Sequence, residues 1–312
     1  MDTTTTIAVS VALVAVLLYT YPNSINPFQD VNLMEKGKDK PTLWIYLNNS
    51  DVNSRSWSDF MDRSSHAINL PFLNLCYKSI VEKNSDVYQI QVIGGLQDLA
   101  VRMGGWKALP VPLQNTDAVV REPELNWIRA AVLAKWGGLW VSPATISIKP
   151  FGPLPKKRIV FFGRDTAPTY GNANILPALN VIWSPKPEEW LMIEWEKAAR
   201  GRLNRRSGGS EFRSDEKSDL SDALRNFSGQ YTHLQTAELS RKGAALKRIE
   251  LEDLLAAGTE GDIPFTISTD TIYLPIPYPE ILQRSAFEWF LRMSENQILE
   301  SDLVISYFFR LK

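Results

Sequence analysis

The side chains best suited to nucleophilic, acid–base or soft-metal chemistry are scarce in this sequence. It has two histidines, His66 and His233, and one cysteine, Cys76. Neither histidine has a nucleophile or a carboxylate at ligand spacing beside it, and Ser64-Ser65-His66 is not the signature of a nucleophilic triad. A single cysteine excludes an intramolecular disulfide and any cysteine-rich zinc site, so Cys76 reads as a small buried apolar side chain. The glycine pairs Gly94-Gly95 and Gly104-Gly105 lack the spacing and the following lysine of a phosphate loop, and read as turns.

What remains is charge. Lys156, Lys157, Arg158 and Arg164 flank the apolar run Ile159-Val160-Phe161-Phe162, and Asp165 follows at once. The cations suit either a clamp on a bound anion or a solvated rim. Asp165 suits either a carboxylate presented to a cleft or a turn residue bonding its own backbone. Globally the charges cancel, 34 Lys and Arg against 35 Asp and Glu. No overall field would recruit nucleic acid, and no nucleic-acid partner is expected.

The elements that must position these groups read as α/β. Leu43 to Leu47 is a short continuous apolar block and therefore a buried strand. Leu70 to Val81 has helical spacing, and Asp86 to Ile93 reads as a second strand. Strand, helix, strand is the unit of a parallel sheet. A helix from Glu124 to Trp136 stops at Gly137-Gly138, where a left-handed cap is free of steric cost. Leu139 to Val141 and Ile159 to Phe162 are further strands. The charge-rich, Gly/Ser-bearing stretch 200–218 reads as a mobile loop or a boundary. Thr266 to Pro279 reads as an extended, proline-stiffened connector, and Pro279 to Arg292 and Gln297 to Leu311 as two amphipathic closing helices.

The amino terminus departs from the globular pattern. Nothing between Asp2 and Asp30 is charged, and Ile7 to Tyr21 is apolar but for Ser10 and Thr20. With Thr3 to Thr6 this stretch is about long enough to cross a bilayer, so residues 1–21 are expected to be a transmembrane anchor and residues 22–40 a linker. A secretory signal peptide is the other reading, disfavoured by the missing basic start and cleavage site. Lys36, Lys38 and Lys40 lie after the span, which favours a cytosolic domain by the positive-inside tendency. The sequons at Asn48 and Asn226 would suit a lumenal one and decide nothing.

The segment Asn126 to Thr145, NWIRAAVLAKWGGLWVSPAT, carries a resemblance. With Arg129, Gly137, Gly138, Leu139, Trp140 and the following Lys149-Pro150-Phe151, it resembles the capsular polysaccharide synthesis proteins and related sugar transferases with a DXD motif. Weaker resemblance extends over most of residues 41–312. The resemblance implies a GT-A-like fold with a nucleotide-binding parallel or mixed sheet, and mostly retaining transfer from a nucleotide sugar to a glycan or glycoprotein acceptor. It also implies Mg²⁺ or Mn²⁺ held by carboxylates, to neutralise the leaving diphosphate. The positions that carry those carboxylates hold Asn126, Ser142 and Pro143 or Ala144, none of which supplies an anionic oxygen. Metal ligands are therefore missing, while Arg129, which supports the donor pocket in the family, is kept. Donor-binding candidates are Asn126, Arg129, Gly137, Gly138, Trp140, Ser142, Ala144 and Asp165; no catalytic residue is assigned. Trp136, Trp140, Trp183, Trp190 and Trp195 could stack on sugar rings, but their helix and strand positions read as core.

Two functions follow as expectations. One is a glycosyltransferase, metal-independent or weakly active. The other is a catalytically inactive transferase fold acting as a membrane-tethered structural protein, such as a virion or envelope scaffold. In both, residues 3–21 would meet membrane lipid.

Overall fold

The computed structural model describes residues 40–48, 70–152, 154–164, 176–206, 218–227, 229–241, 249–258 and 265–311. In chain order these form β1 (Thr42–Leu47), α1 (Pro71–Asn84), β2 (Gln89–Gly94), α2 (Gly95–Met103), α3 (Glu122–Trp136), β3 (Gly138–Val141), β4 (Thr145–Ser147), β5 (Ile159–Arg164), β6 (Pro177–Ser184), α4 (Trp190–Arg206), α5 (Ser218–Asn226), β7 (Tyr231–Leu234), β8 (Ser240–Arg241), α6 (Leu251–Leu255), β9 (Phe265–Thr266) and β10 (Tyr273–Pro275). Four short helices follow: α7 (Tyr278–Gln283), α8 (Glu288–Leu291), α9 (Glu295–Glu300) and α10 (Val304–Arg310). The expected anchor, residues 1–21, and His66 lie outside the described residues. Among the described residues no helix is long and apolar enough to cross a membrane.

The central sheet has the order β2-β1-β3-β6-β5-β7. β1 runs parallel to β2 and to β3. β6 is antiparallel to both its neighbours, β3 and β5, and β7 is parallel to β5. Every strand but β6 therefore points the same way, and their carboxyl ends share one edge of the molecule. This is a mixed α/β fold with a mostly parallel sheet flanked by helices, consistent with a GT-A-like fold.

Leu43 to Leu47 of β1, Leu139 to Val141 of β3 and Ile159 to Phe162 of β5 are apolar without interruption because both faces of the sheet are covered. Alternate residues of β1 enter different cores: Leu43, Ile45 and Leu47 one, Trp44 and Tyr46 the other. β5 divides in the same way, with Val160 and Phe162 against Ile159 and Phe161. The first core is closed by α1, by the antiparallel pair β4–β10 and by the last helices; the second by α2, α3, α4 and α5. Cys76 is fully buried in the first core, and burial pushes its thiol far above the ordinary range.

Several expectations need correction. α4 continues to Arg206, so the stretch 200–218 begins as helix, with residues 207–217 outside the described residues. The extended connector contains β10, which pairs with β4 through Tyr273, Leu274 and Pro275, because its apolar side chains complete the first core. The two closing helices are four short ones. Arg284 leaves helical geometry after α7, and Ser294 starts α9 by a capping box, accepting from the Gln297 N–H while the Gln297 side chain accepts from its own N–H. Gly137 has φ +64 and ψ −158, so it is not a left-handed cap. Glycine is needed there for space: a Cβ would lie 2.6 Å from the Lys186 carbonyl carbon, and one on Gly138 2.4 Å from the Thr42 oxygen.

Candidate functional site

β1 passes the chain to β2 on one side, while β3 occupies the other. The carboxyl edge between β1 and β3 is therefore the topological switch point, where open α/β sheets receive ligands in a crevice. Asn48 follows β1 there, and Ser142 follows β3. α3 enters β3 through Gly137 and runs back along it, which places its first turns at the same edge. A long bond from Asn48 Nδ2 to the Val120 carbonyl, 3.5 Å, ties the end of β1 to the approach of α3.

α3 begins with Pro123 inside its first turn, where the missing N–H costs nothing. Asn126 and Arg129 are both buried, at 3% exposure, among the apolar residues Trp127, Ile128 and Ala130 to Leu133. The Arg129 Nη1 donates to Asn126 Oδ1 at 2.7 Å and to Glu122 Oε1 at 2.6 Å. Its Nε is buried and has no hydrogen-bond partner among the described residues. A buried guanidinium requires a counter-charge. Asn126 offers only a dipole, so Glu122, about two turns earlier on the same face, supplies the anion.

The other candidates are divided between the two edges. Ser142 is at the crevice, and its N–H donates to the Asn180 carbonyl at 2.8 Å. Ala144 is buried in the first core, with its carbonyl accepting from Ile276 N–H at 2.9 Å. Trp140 is fully buried in the second core and offers no face to a ligand. Gly137 and Gly138 lie at the amino edge of β3, away from Ser142. Asp165 lies outside the described residues.

The cations are divided as well. Arg164 closes β5 at the carboxyl edge, with a buried Nε that has no partner among the described residues. Lys156, Lys157 and Arg158 precede β5 and stand at the amino edge, in a cleft with Lys186 and Gln230. They cannot clamp an anion in the crevice. Trp195 is core like Trp140, whereas Trp190 is 63% exposed at the start of α4.

No family model and no curated protein matches the chain. A solved structure titled "PaToxG Glycosyltransferase" is similar to it. The TM-score is 0.37 and the identity 16%, over 62% of this chain and 73% of that one. A likeness at that level carries no argument, and the fold statement above rests on the strand order alone.

The described residues at this edge do not fit a divalent cation. Asn126, Ser142 and Ala144 provide no carboxylate, Arg129 places a positive charge beside Asn126, and among the described residues no group of three or more His, Cys, Asp or Glu side chains converges. Hard divalent cations need several oxygen ligands, usually anionic.

A second polar group, at the carboxyl end of β5, was not singled out from the sequence. The Tyr273 hydroxyl lies 2.9 Å from the Phe162 carbonyl and 3.0 Å from Glu238 Oε2. Burial, and then the Glu238 charge, push the phenol well above its ordinary range. His233 Nε2 is 2.6 Å from the Gly163 carbonyl, which can only accept, so the ring carries its proton on Nε2. Burial lowers the His233 pKa, partly offset by that bond, and the Arg164 charge lowers it further. A Cβ on Gly163 would lie 2.3 Å from both Glu238 Oε2 and the Tyr273 hydroxyl, so only glycine fits. The glycine before Arg164 was the one signal in the sequence for this cluster.

Proposed function

We propose that the chain is a glycosyltransferase-like protein that binds the diphosphate of a nucleotide sugar in the crevice beyond β1 and β3 without a metal ion, and transfers the sugar to a glycan or glycoprotein acceptor. The observation that supports this reading is Arg129. It is a guanidinium buried at a topological switch point, held by Glu122 and by Asn126, the position where the resembled families carry an acid. A fixed cation stabilises a departing diphosphate as a metal does, and more strongly where water is excluded. Arg164 at the end of β5 is a further cation on this edge.

The test is calorimetric titration of the full chain with UDP-, GDP- and CMP-sugars, with and without Mn²⁺, combined with an assay of donor hydrolysis. The expected result is binding to one donor class, unchanged by Mn²⁺, with slow hydrolysis, and loss of binding in Arg129→Met. Binding that requires Mn²⁺ would overturn the metal-free reading.

A second reading, an inactive fold retained as a scaffold, is favoured by the structural use of the motif positions. Ala144 serves the core, and Asn126 serves Arg129. No binding to any donor would select it.

A further inference from the structure

At the amino edge of the sheet, opposite the crevice, a cleft of about 350 Å³ is lined by Lys156, Lys157, Arg158, Lys186, Glu189 and Gln230, together with Gly229. The three cations that precede β5 are exposed, and no carboxylate pairs with them among the described residues. Lys186 is only loosely paired, 3.9 Å from Glu189 and 70% exposed. Four cations against one carboxylate leave the lining at +3, or +2 when the exposed neighbour Glu188 is counted. Among the described residues such a concentration of like charge serves no neighbour.

Two further observations define what would meet it. Trp190, directly after Glu189, is 63% exposed, although an indole left in water forgoes a large burial. An exposed indole beside lysines is the pairing that settles at a bilayer interface, the ring at headgroup depth and the cations on the phosphates. The described chain also begins at this edge. Lys40 precedes β1, the Thr42 carbonyl lies against Gly138, and the Lys186 backbone lies against Gly137. Lys40, the first described residue, therefore stands at the edge of the basic cleft and not at that of the crevice.

We propose that this amino edge is a docking surface for an anionic membrane, with Lys156, Lys157, Arg158 and Lys186 taking lipid phosphates and Trp190 entering the headgroup layer. The crevice then faces away from the bilayer, open to soluble ligands. The proposal does not depend on the nucleotide-sugar reading and stands if that reading fails.

The test uses the full chain with vesicles of phosphatidylcholine, alone or enriched in phosphatidylglycerol, followed by flotation and by hydrogen–deuterium exchange. The comparison between lipids cancels the contribution of any apolar anchor common to both. The expected preference for anionic vesicles is about tenfold, set by the local excess of cations. It should vanish at about 1 M salt and in the variant Lys156→Glu/Lys157→Glu/Arg158→Glu, and shrink in Trp190→Ala. Exchange should slow at residues 154–158 and 229–231 but not at 142–146. Equal binding to both lipids, slowing at 142–146 instead, or equal slowing by inorganic phosphate without vesicles would each overturn the proposal. If the triple variant fails to fold, the salt titration and the exchange pattern of the unaltered chain decide it.

Discussion

The Nη1 of Arg129 lies 2.7 Å from Oδ1 of Asn126, so the position where the resembled families carry an acid is occupied here by a neutral acceptor for a buried cation. The charge partner is Glu122, which is 45% exposed. The two ends of this pair are unequal. Glu122→Ala strands a guanidinium inside the fold and should cost about 2 kcal/mol, after allowance for Glu122's exposure. Arg129→Met removes the charge while keeping volume, and should cost less than about 1.5 kcal/mol. Urea unfolding of both variants gives the order, and the reverse order would mean that Glu122 is not the counter-charge.

Asn126→Asp converts the dipole into a second anion facing Arg129. The carboxylate is then satisfied by the guanidinium and is not available to a cation. The expected outcome is a folded protein with no Mn²⁺ affinity by calorimetry. Micromolar Mn²⁺ binding by this single variant would show that a metal site needs only one restored acid.

Gly138 and Gly163 are each fixed by what a methyl group would strike. Gly138→Ala meets the Thr42 carbonyl, and Gly163→Ala meets Glu238 and Tyr273. Both also sit at positive φ, so each should lose on the order of 3 kcal/mol. Gly152→Ala, at positive φ but with open space around it, should lose only about 1 kcal/mol. Equal losses at all three would assign the effect to backbone conformation alone.

The hydroxyl of Tyr273 is shared between the Phe162 carbonyl and Glu238. Tyr273→Phe leaves these buried acceptors short of a donor and should cost about 1–3 kcal/mol. Tyr273→Phe/Glu238→Gln should recover part of that loss, because an amide replaces the charge and brings its own donor. Thermal melting of the two variants makes the comparison.

His233 supplies a pH dependence with a defined sign. Its pKa in the folded chain is below the ordinary 6.5, so the unfolded chain takes up the proton first as pH falls. The contribution is fully present above about pH 6.5 and is lost as pH falls through the window below it. His233→Gln, whose amide keeps a donor for the Gly163 carbonyl, should melt with a smaller difference between pH 5.5 and pH 7.5 than the unaltered chain. An identical difference would place the titrating group elsewhere.

How much was legible from sequence follows from burial. β1 and β5 announce themselves because both faces are covered, which leaves a continuous apolar run. β6 was only half visible: Val181 to Ser184 is buried, but Leu179 and Asn180 are half-buried and a proline opens the strand. β10 was hidden by Pro275, which is tolerated because it stands at the last position of the strand. Glu122 was missed because the helix was started at Glu124, although Pro123 suits a first turn and the seven-residue step to Arg129 lies on one face. The placement of Lys156 to Arg158 was recoverable. In a parallel sheet, residues before a strand and residues after it stand at opposite edges, so a clamp that combined them with Arg164 was excluded by direction alone.

The strand order also bears on how the chain is made. The pair β1–β2 is complete once residue 94 has been synthesised, but β1's other edge waits for β3, and β3's for β6, which ends at Ser184. During that interval a ribosome-bound chain carries an apolar strand with open hydrogen-bonding groups. A nascent chain arrested before residue 177 should therefore be a strong client of chaperones, and one arrested well beyond residue 240, with β7 also in place, should release them.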